Sequence, residues 1–232
     1  MIYDGQFVAN HVPLDLGENE VYIRATDTYG NVKEVILVVS SDTLESIITL
    51  SPSTVVGLAP FETTLSIQSS INSAQISLSD TGPEALMYQQ EEDLYKWDIQ
   101  ADMPGIYTVR AQENVAGNFS DTVAVIVFDR DELDDLLRDK WDHLCNALGA
   151  GDIEDALLDI ASSKEDDYRR VFNALTPEKR SKIADEMQDI QLIDMEGGSA
   201  EYDIRTLRED RECSFLLRFE LDDDGFWKIA FF

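Results

Sequence analysis

The sequence predicts a multidomain chain: all-β sandwich modules followed by a smaller α+β domain. Three observations carry that expectation. A two-strand pattern at residues 17–39, GENEVYIRATDTYGNVKEVILVV, returns at 105–128 as GIYTVRAQENVAGNFSDTVAVIVF. Residues 46–129 hold short alternating segments separated by turns at the spacing of an antiparallel sandwich. At residue 131 the hydrophobic period changes from 2 to 3.6, and strand patterns return only after four helical stretches. The expected division is 1–41, the C-terminal part of one module; 46–129, a complete module; and 131–232, the α+β domain.

The repeat is specific. In its first copy Val21, Ile23 and Ala25 point one way and Tyr22, Arg24 and Thr26 the other, because strand side chains change face at every residue. Asp27-Thr28-Tyr29-Gly30-Asn31 then favours a reversal: Gly and Asn tolerate positive φ, and Asp caps its own backbone. Residues 35–39 are apolar on both faces and are expected to be covered. In the second copy Tyr107, Val109 and Ala111 take the inward positions. Arg110-Ala111 matches Arg24-Ala25, and Gly117-Asn118 matches Gly30-Asn31 after one inserted residue. An offset of 86 residues suits tandem sandwich modules of about 100 residues rather than a solenoid.

Residues 1–41 offer strands at 3–8, 20–26 and 33–40, with Pro13 and Gly17 punctuating the first loop and Ser40-Ser41-Asp42-Thr43 as a polar linker. Met1-Ile2-Tyr3-Asp4 lacks the basic start and apolar core of a signal peptide. With only the last strands of a module in view, the chain is read as a portion of a longer protein. Residues 46–129 give a strand at 47–51, a bend at Pro52 and 57–60, and an alternating strand through Phe61, Thr63, Leu65 and Ile67. Ile76 and Leu78 lie on another strand. A hairpin of 86–90 with 94–99 follows, and then the repeated pair, seven strands in all. Tyr95, Trp97 and Ile99 share a face, which makes Trp97 the expected core aromatic.

From 131 on, Leu133, Leu137, Trp141, Leu144 and Leu148 share one helical face, with Cys145 beside them. Asp131, Glu132, Asp134 and Asp135 sit where the helix dipole favours negative charge, and Gly149 and Gly151 stop the helix. Asp152 caps a second helix carrying Ile153, Ala156, Leu157 and Ile160. A third carries Tyr168, Val171, Phe172 and Leu175. Thr176-Pro177 opens a fourth, with Ile183 and Met187 inward. Strands at 190–195, 200–207, 212–221 and 226–232 complete an α+β pattern with a four-stranded antiparallel meander. On the third of them Cys213, Phe215, Leu217 and Phe219 share a face.

The net charge is −29 over 232 residues, −14 in residues 1–130 and −15 in 131–232. Acidity therefore spans the molecule. It argues against nucleic-acid and anionic-membrane partners, which need basic surface. No apolar run approaches the ~20 residues that span a bilayer. Cys145 and Cys213 form no C-x-x-C motif, and His11 and His143 are the sole histidines, so zinc is not expected. The two cysteines are either a disulfide, in an oxidising compartment, or two small core side chains.

FVANHVPLDLGENEVYIRATDTYGNVKEVILVV resembles the end of bacterial Ig-like modules related to domain B of glucodextranase, which share a "pL..GeN.i.v.AtD..GN" signature. Residues 50–129 are similar to Ig-like or PKD-like modules through SPSTVVGLAPFETTLSI and PGIYTVRAQENVAGN. The PKD strand motif WDFGDG is absent, and Trp97-Asp98 is a remnant of it at most. Most of 131–232, with ALGAGDIEDALLDI near its start and DDDGFWKIAFF at its close, resembles a small NTF2-like (cystatin-like) domain. The first resemblance implies spacers or binding units of secreted or surface-attached bacterial proteins. The second implies a pocket between helices and curved sheet, which in some relatives binds a small molecule and in a few holds a carboxylate base for proton transfer.

Asp203 or Glu201, with Tyr168, Tyr202 or His143, would be the candidates for such a pocket. Asp203 alternates with Tyr202 and Ile204, however, and is expected on the outer face. Asp222-Asp223-Asp224-Gly225 lacks the spaced ligands and distant Glu of a Ca²⁺ loop and reads as a hairpin turn. Asp4 and Asp27 would be Ca²⁺ candidates at a module junction, and Tyr22, Tyr29 and Tyr88 candidates for stacking on sugars. No phosphate loop, Ser-His-Asp order or reactive-cysteine context is present. No catalytic, cofactor-binding or metal-ligating residue is therefore assigned. The expected role is non-catalytic: spacing, adhesion, or binding of a glycan, protein or small ligand, outside the cytoplasm. A ligand or enzyme pocket in the NTF2-like domain and a Ca²⁺-stiffened stalk are the alternatives.

Overall fold

The computed structural model describes residues 2–3, 5–26, 32–41, 47–115, 119–187, 189–208, 211–223 and 225–232. The expected reversals at 27–31 and at Gly117-Asn118, the linker residues Asp42 and Thr43, and Asp4 and Asp224 lie outside these residues. The fold is β-rich, built of several sheets with one helical region.

Strands β1 (Ile2–Tyr3) and β2 (Gln6–Phe7) pair across Gly5, whose φ is +70°. The single strand expected at 3–8 is thus a small hairpin, because a left-handed glycine reverses the chain in its middle. Strands β3 (Gly17–Thr26) and β4 (Val32–Ser41) pair antiparallel along their whole length, with Val21 opposite Leu37 and Ile23 opposite Val35. Among the described residues no third strand joins this pair. The cover expected over 35–39 is absent: β4 is exposed from Val32 to Ser40.

Eight strands follow: β5 (Ile48–Pro52), β6 (Val56–Leu58), β7 (Phe61–Ser69), β8 (Ile76–Thr81), β9 (Met87–Gln90), β10 (Lys96–Ala101), β11 (Gly105–Glu113) and β12 (Ser120–Phe128). They form two four-stranded sheets, ordered β5-β7-β10-β9 and β6-β12-β11-β8. The facing sides share a core that includes Leu50, Leu65, Ile99, Tyr107, Val109 and Val125. β6 lies inside the stretch read as a bend and pairs parallel with β12, Val56 opposite Ile126, so the second sheet is mixed rather than purely antiparallel. The central aromatic is Tyr107, not Trp97, which is half-buried at the rim. Tyr107 lies flat over Gly82, where a Cβ would come within 2.4 Å of its ring.

The chain passes from β12 into α1 (Arg130–Ala150) with a single residue between them. That residue, Asp129, caps the helix by accepting from the Asp131 and Glu132 N–H groups. Every apolar residue of the predicted stripe is buried, and Gly151, at φ +83°, ends the helix. Helix α2 (Ile153–Ala156), capped by Asp152, tightens into a 3₁₀ turn at Leu157–Asp159. Ile160, expected on that helix, is extended and bridges Ile229 in parallel. Helices α3 (Glu165–Ala174) and α4 (Pro177–Glu186) come next. Phe172 is buried on α3 as expected, whereas Val171 is exposed.

Strands β13 (Asp189–Glu196), β14 (Ser199–Arg208), β15 (Arg211–Leu221) and β16 (Trp227–Phe231) form an antiparallel meander in that order. The α1 stripe packs with Tyr202, Ile204, Leu217, Phe219 and Ile229 of this sheet in a second core. Val56, Ile126 and Phe128, from the outer side of the preceding sandwich-like pair of sheets, are buried in that same core. Phe128 sits between Tyr3 and Trp227, edge-on to each, with ring centroids 5.3 Å and 6.2 Å apart. Cys145 and Cys213 are both free thiols. Neither the disulfide nor a pair of core side chains is found: Cys145 is buried on α1, and Cys213 is half-exposed on β15, where Phe215, expected on its face, is also exposed.

Candidate functional site

Among the described residues, aromatic side chains occupy the interior between α1 and the meander, where a ligand pocket is expected. Trp141, Tyr202, Phe172 and Phe219 are each fully buried there. The Trp141 indole N–H donates to the Met187 carbonyl at 2.7 Å. Tyr202 donates its hydroxyl proton to Asp134 at 2.8 Å, and Arg138 donates to the other Asp134 oxygen at 2.9 Å and to the Ile190 carbonyl at 2.6 Å. Burial, and then the Asp134 hydrogen bond and charge, push the Tyr202 phenol above its ordinary pKa. It is held neutral, as a donor, and is no candidate base. Tyr168 packs face-on against Phe232 at 4.9 Å, and its hydroxyl oxygen accepts from the Phe232 N–H at 3.0 Å.

The structure does not bring together the residues named for proton transfer. Tyr202 points inward from β14, while Asp203 points outward, where Ser214 and Arg205 donate to it and hold its carboxyl below the ordinary range. Glu201 is half-buried on the same outer side. His143 stands apart from all of these, between two carboxylates that sequence reasoning did not single out. Its Nδ1 lies 2.5 Å from Asp159 and its Nε2 lies 3.3 Å from Asp155. Lys140, one helical turn back on α1, reaches the other Asp159 oxygen at 3.4 Å. The signal was present in the sequence as Lys140 and His143 at a three-residue spacing and Asp155 and Asp159 at a four-residue spacing. What was missing was the reversal at Gly151 that sets the two pairs against each other.

The hydrogen bond to Asp159 raises the His143 pKa. Partial burial opposes this; the charges of Asp159 and Asp155 add to it, and Lys140 subtracts. A doubly protonated ring satisfies both carboxylates, so in that form the imidazole has no free lone pair with which to act as a base. The cluster is a latch of α1 onto the 3₁₀ turn. Asp159, the one buried charged side chain among the described residues, is compensated by it.

Asp222 and Tyr88 are spent on local structure. Asp222 accepts from Ser162 N–H at 2.8 Å, Ser162 Oγ at 3.1 Å and Asp223 N–H at 3.0 Å, and Gly225 N–H donates to the Asp222 carbonyl at 2.8 Å, closing the predicted turn. Desolvation works against the charge of Asp222, but these donors and Lys228 outweigh it and hold the carboxyl low. Among the described residues no three His, Cys, Asp or Glu side chains converge on a metal-sized site; Asp4 and Asp27 lie outside them. Tyr88 donates to Asp80 at 2.9 Å and packs against the first core, which removes it as a free stacking platform. Tyr22 is well exposed on β3, and Tyr29 lies outside the described residues. An open groove of about 550 Å³ lies over the outward residues Glu62, Thr64, Gln89, Asp98 and Gln100. Within it Thr64 donates to Asp98 at 2.9 Å.

Among the described residues no helix is long and apolar enough to cross a membrane. No protein-family model and no curated protein matches the chain. Among solved structures, a candidate lipoprotein from Bacillus subtilis subsp. subtilis str. 168 aligns over 80% of this chain and 93% of its own, at 10% identity and a TM-score of 0.25. A likeness at that level carries no argument.

Proposed function

We propose that this chain is a non-catalytic module set: an incomplete Ig-like module at 1–41, a complete Ig-like module at 46–129 and an NTF2-like domain at 131–232. It acts as a stiff spacer that presents binding surfaces in a secreted or surface-attached bacterial protein. One observation carries the reading. The last strand of the sandwich runs into α1 through Asp129 alone, and Phe128 is buried in the core of the following unit. Two units joined that way turn together, which is what a spacer needs. The filled interior beneath α1, and a histidine engaged on both ring nitrogens, support a non-catalytic role over an enzymatic one.

The test is a distance distribution between spin labels at Glu92, on the sandwich, and Asp166, on α3, with Cys145 and Cys213 replaced by Ala. One narrow distribution is expected. Phe128→Ala should broaden it and cost about 3–5 kcal/mol of stability, the usual range for a core aromatic. A broad or multi-peaked distribution in the parent chain would overturn the spacer reading.

A further inference from the structure

We draw no further inference here: the strongest candidate, the open groove on the outer face of the β5-β7-β10-β9 sheet over Glu62, Thr64, Gln89, Asp98 and Gln100, has the polar side chains of an ordinary solvated sheet face, and nothing in the structure shows what covers it.

Discussion

The side chain of Asn10 and the backbone of Ala124 exchange two hydrogen bonds, each 2.8 Å long. The amide nitrogen of Asn10 donates to the Ala124 carbonyl, and its oxygen accepts from the Ala124 N–H. The carboxamide thereby stands in for a neighbouring peptide at a point where β12 has none, because β6 reaches only residues 126–128 of that edge. His11 supports the contact from beside it, 3.1 Å from Asp121, which also accepts from Leu50 N–H at 2.7 Å.

Asn10→Ala removes both bonds and leaves the Ala124 amide to water. At about 0.5–1.5 kcal/mol for each bond, the Ala124 amide should exchange roughly five- to a hundredfold faster. The amides of β11 facing the core should not change. Exchange measured by NMR decides it: unchanged protection of Ala124 would mean that the clamp carries no weight.

The His143 latch gives a signed pH dependence. Its pKa is higher in the folded chain than in the unfolded one, so its stabilisation is fully present below the ordinary histidine value of about 6.5. It is lost as pH rises through the folded value. His143→Gln should therefore be less stable than the parent chain at about pH 5.5 and equal to it well above neutrality. The imidazole is 45% exposed, so salt should shrink the difference. Urea unfolding across that range measures it; a deficit that grows with pH would refute the assignment.

Trp227 is 3% exposed, and among the described residues its indole N–H has no hydrogen-bond partner. Leaving such a donor unpaired costs about 1–3 kcal/mol. Trp227→Phe keeps an aromatic ring beside Phe128 while deleting that donor. The loss from the smaller ring should be largely offset, and the variant should fall within about 1 kcal/mol of the parent. Trp227→Leu, which gives up the edge-on ring contact, should lose more. Thermal and urea unfolding of the two variants, compared side by side, settle the order.

The two cysteines should behave differently in the native chain. Burial, and then the charge of Asp142, push the Cys145 thiol up to about 12, so it carries almost no thiolate at pH 8 and is shielded as well. Cys213 is half-exposed near the start of β15. A thiol reagent should modify one cysteine quickly and the second only on unfolding, and mass mapping should place the fast one at Cys213. Rapid modification of both would show that α1 opens readily.

Local pattern made much of this architecture legible. Alternation at 61–67 and 105–111, the α1 stripe from Leu133 to Leu148, the caps at Asp152 and Thr176, and the turn that Gly225 closes on Asp222 all lie where the residues put them. Each is a short-range property: a side-chain period, a capping oxygen, a glycine that accepts positive φ. The misses share another cause. β6 needed Ile126, 70 residues away, as its parallel partner, and Ile160 left its helix for Ile229. Trp97 lost the centre of the core to Tyr107 because the gap over Gly82 admits that ring.

By itself, the sequence determined the two repeated strand pairs, the switch from strand period to helix period at 131, the meander and the acidity, because each is written in neighbouring residues. The tertiary structure alone decided that His143 meets Asp159 and Asp155 rather than Asp203, and that Phe128 serves the core of the unit after its own. It also decided that aromatic side chains fill the space beneath α1, and that β4 stands uncovered while its counterpart β12 does not. Those outcomes depend on which surfaces, distant in sequence, come within van der Waals and hydrogen-bonding distance, and no local period records that.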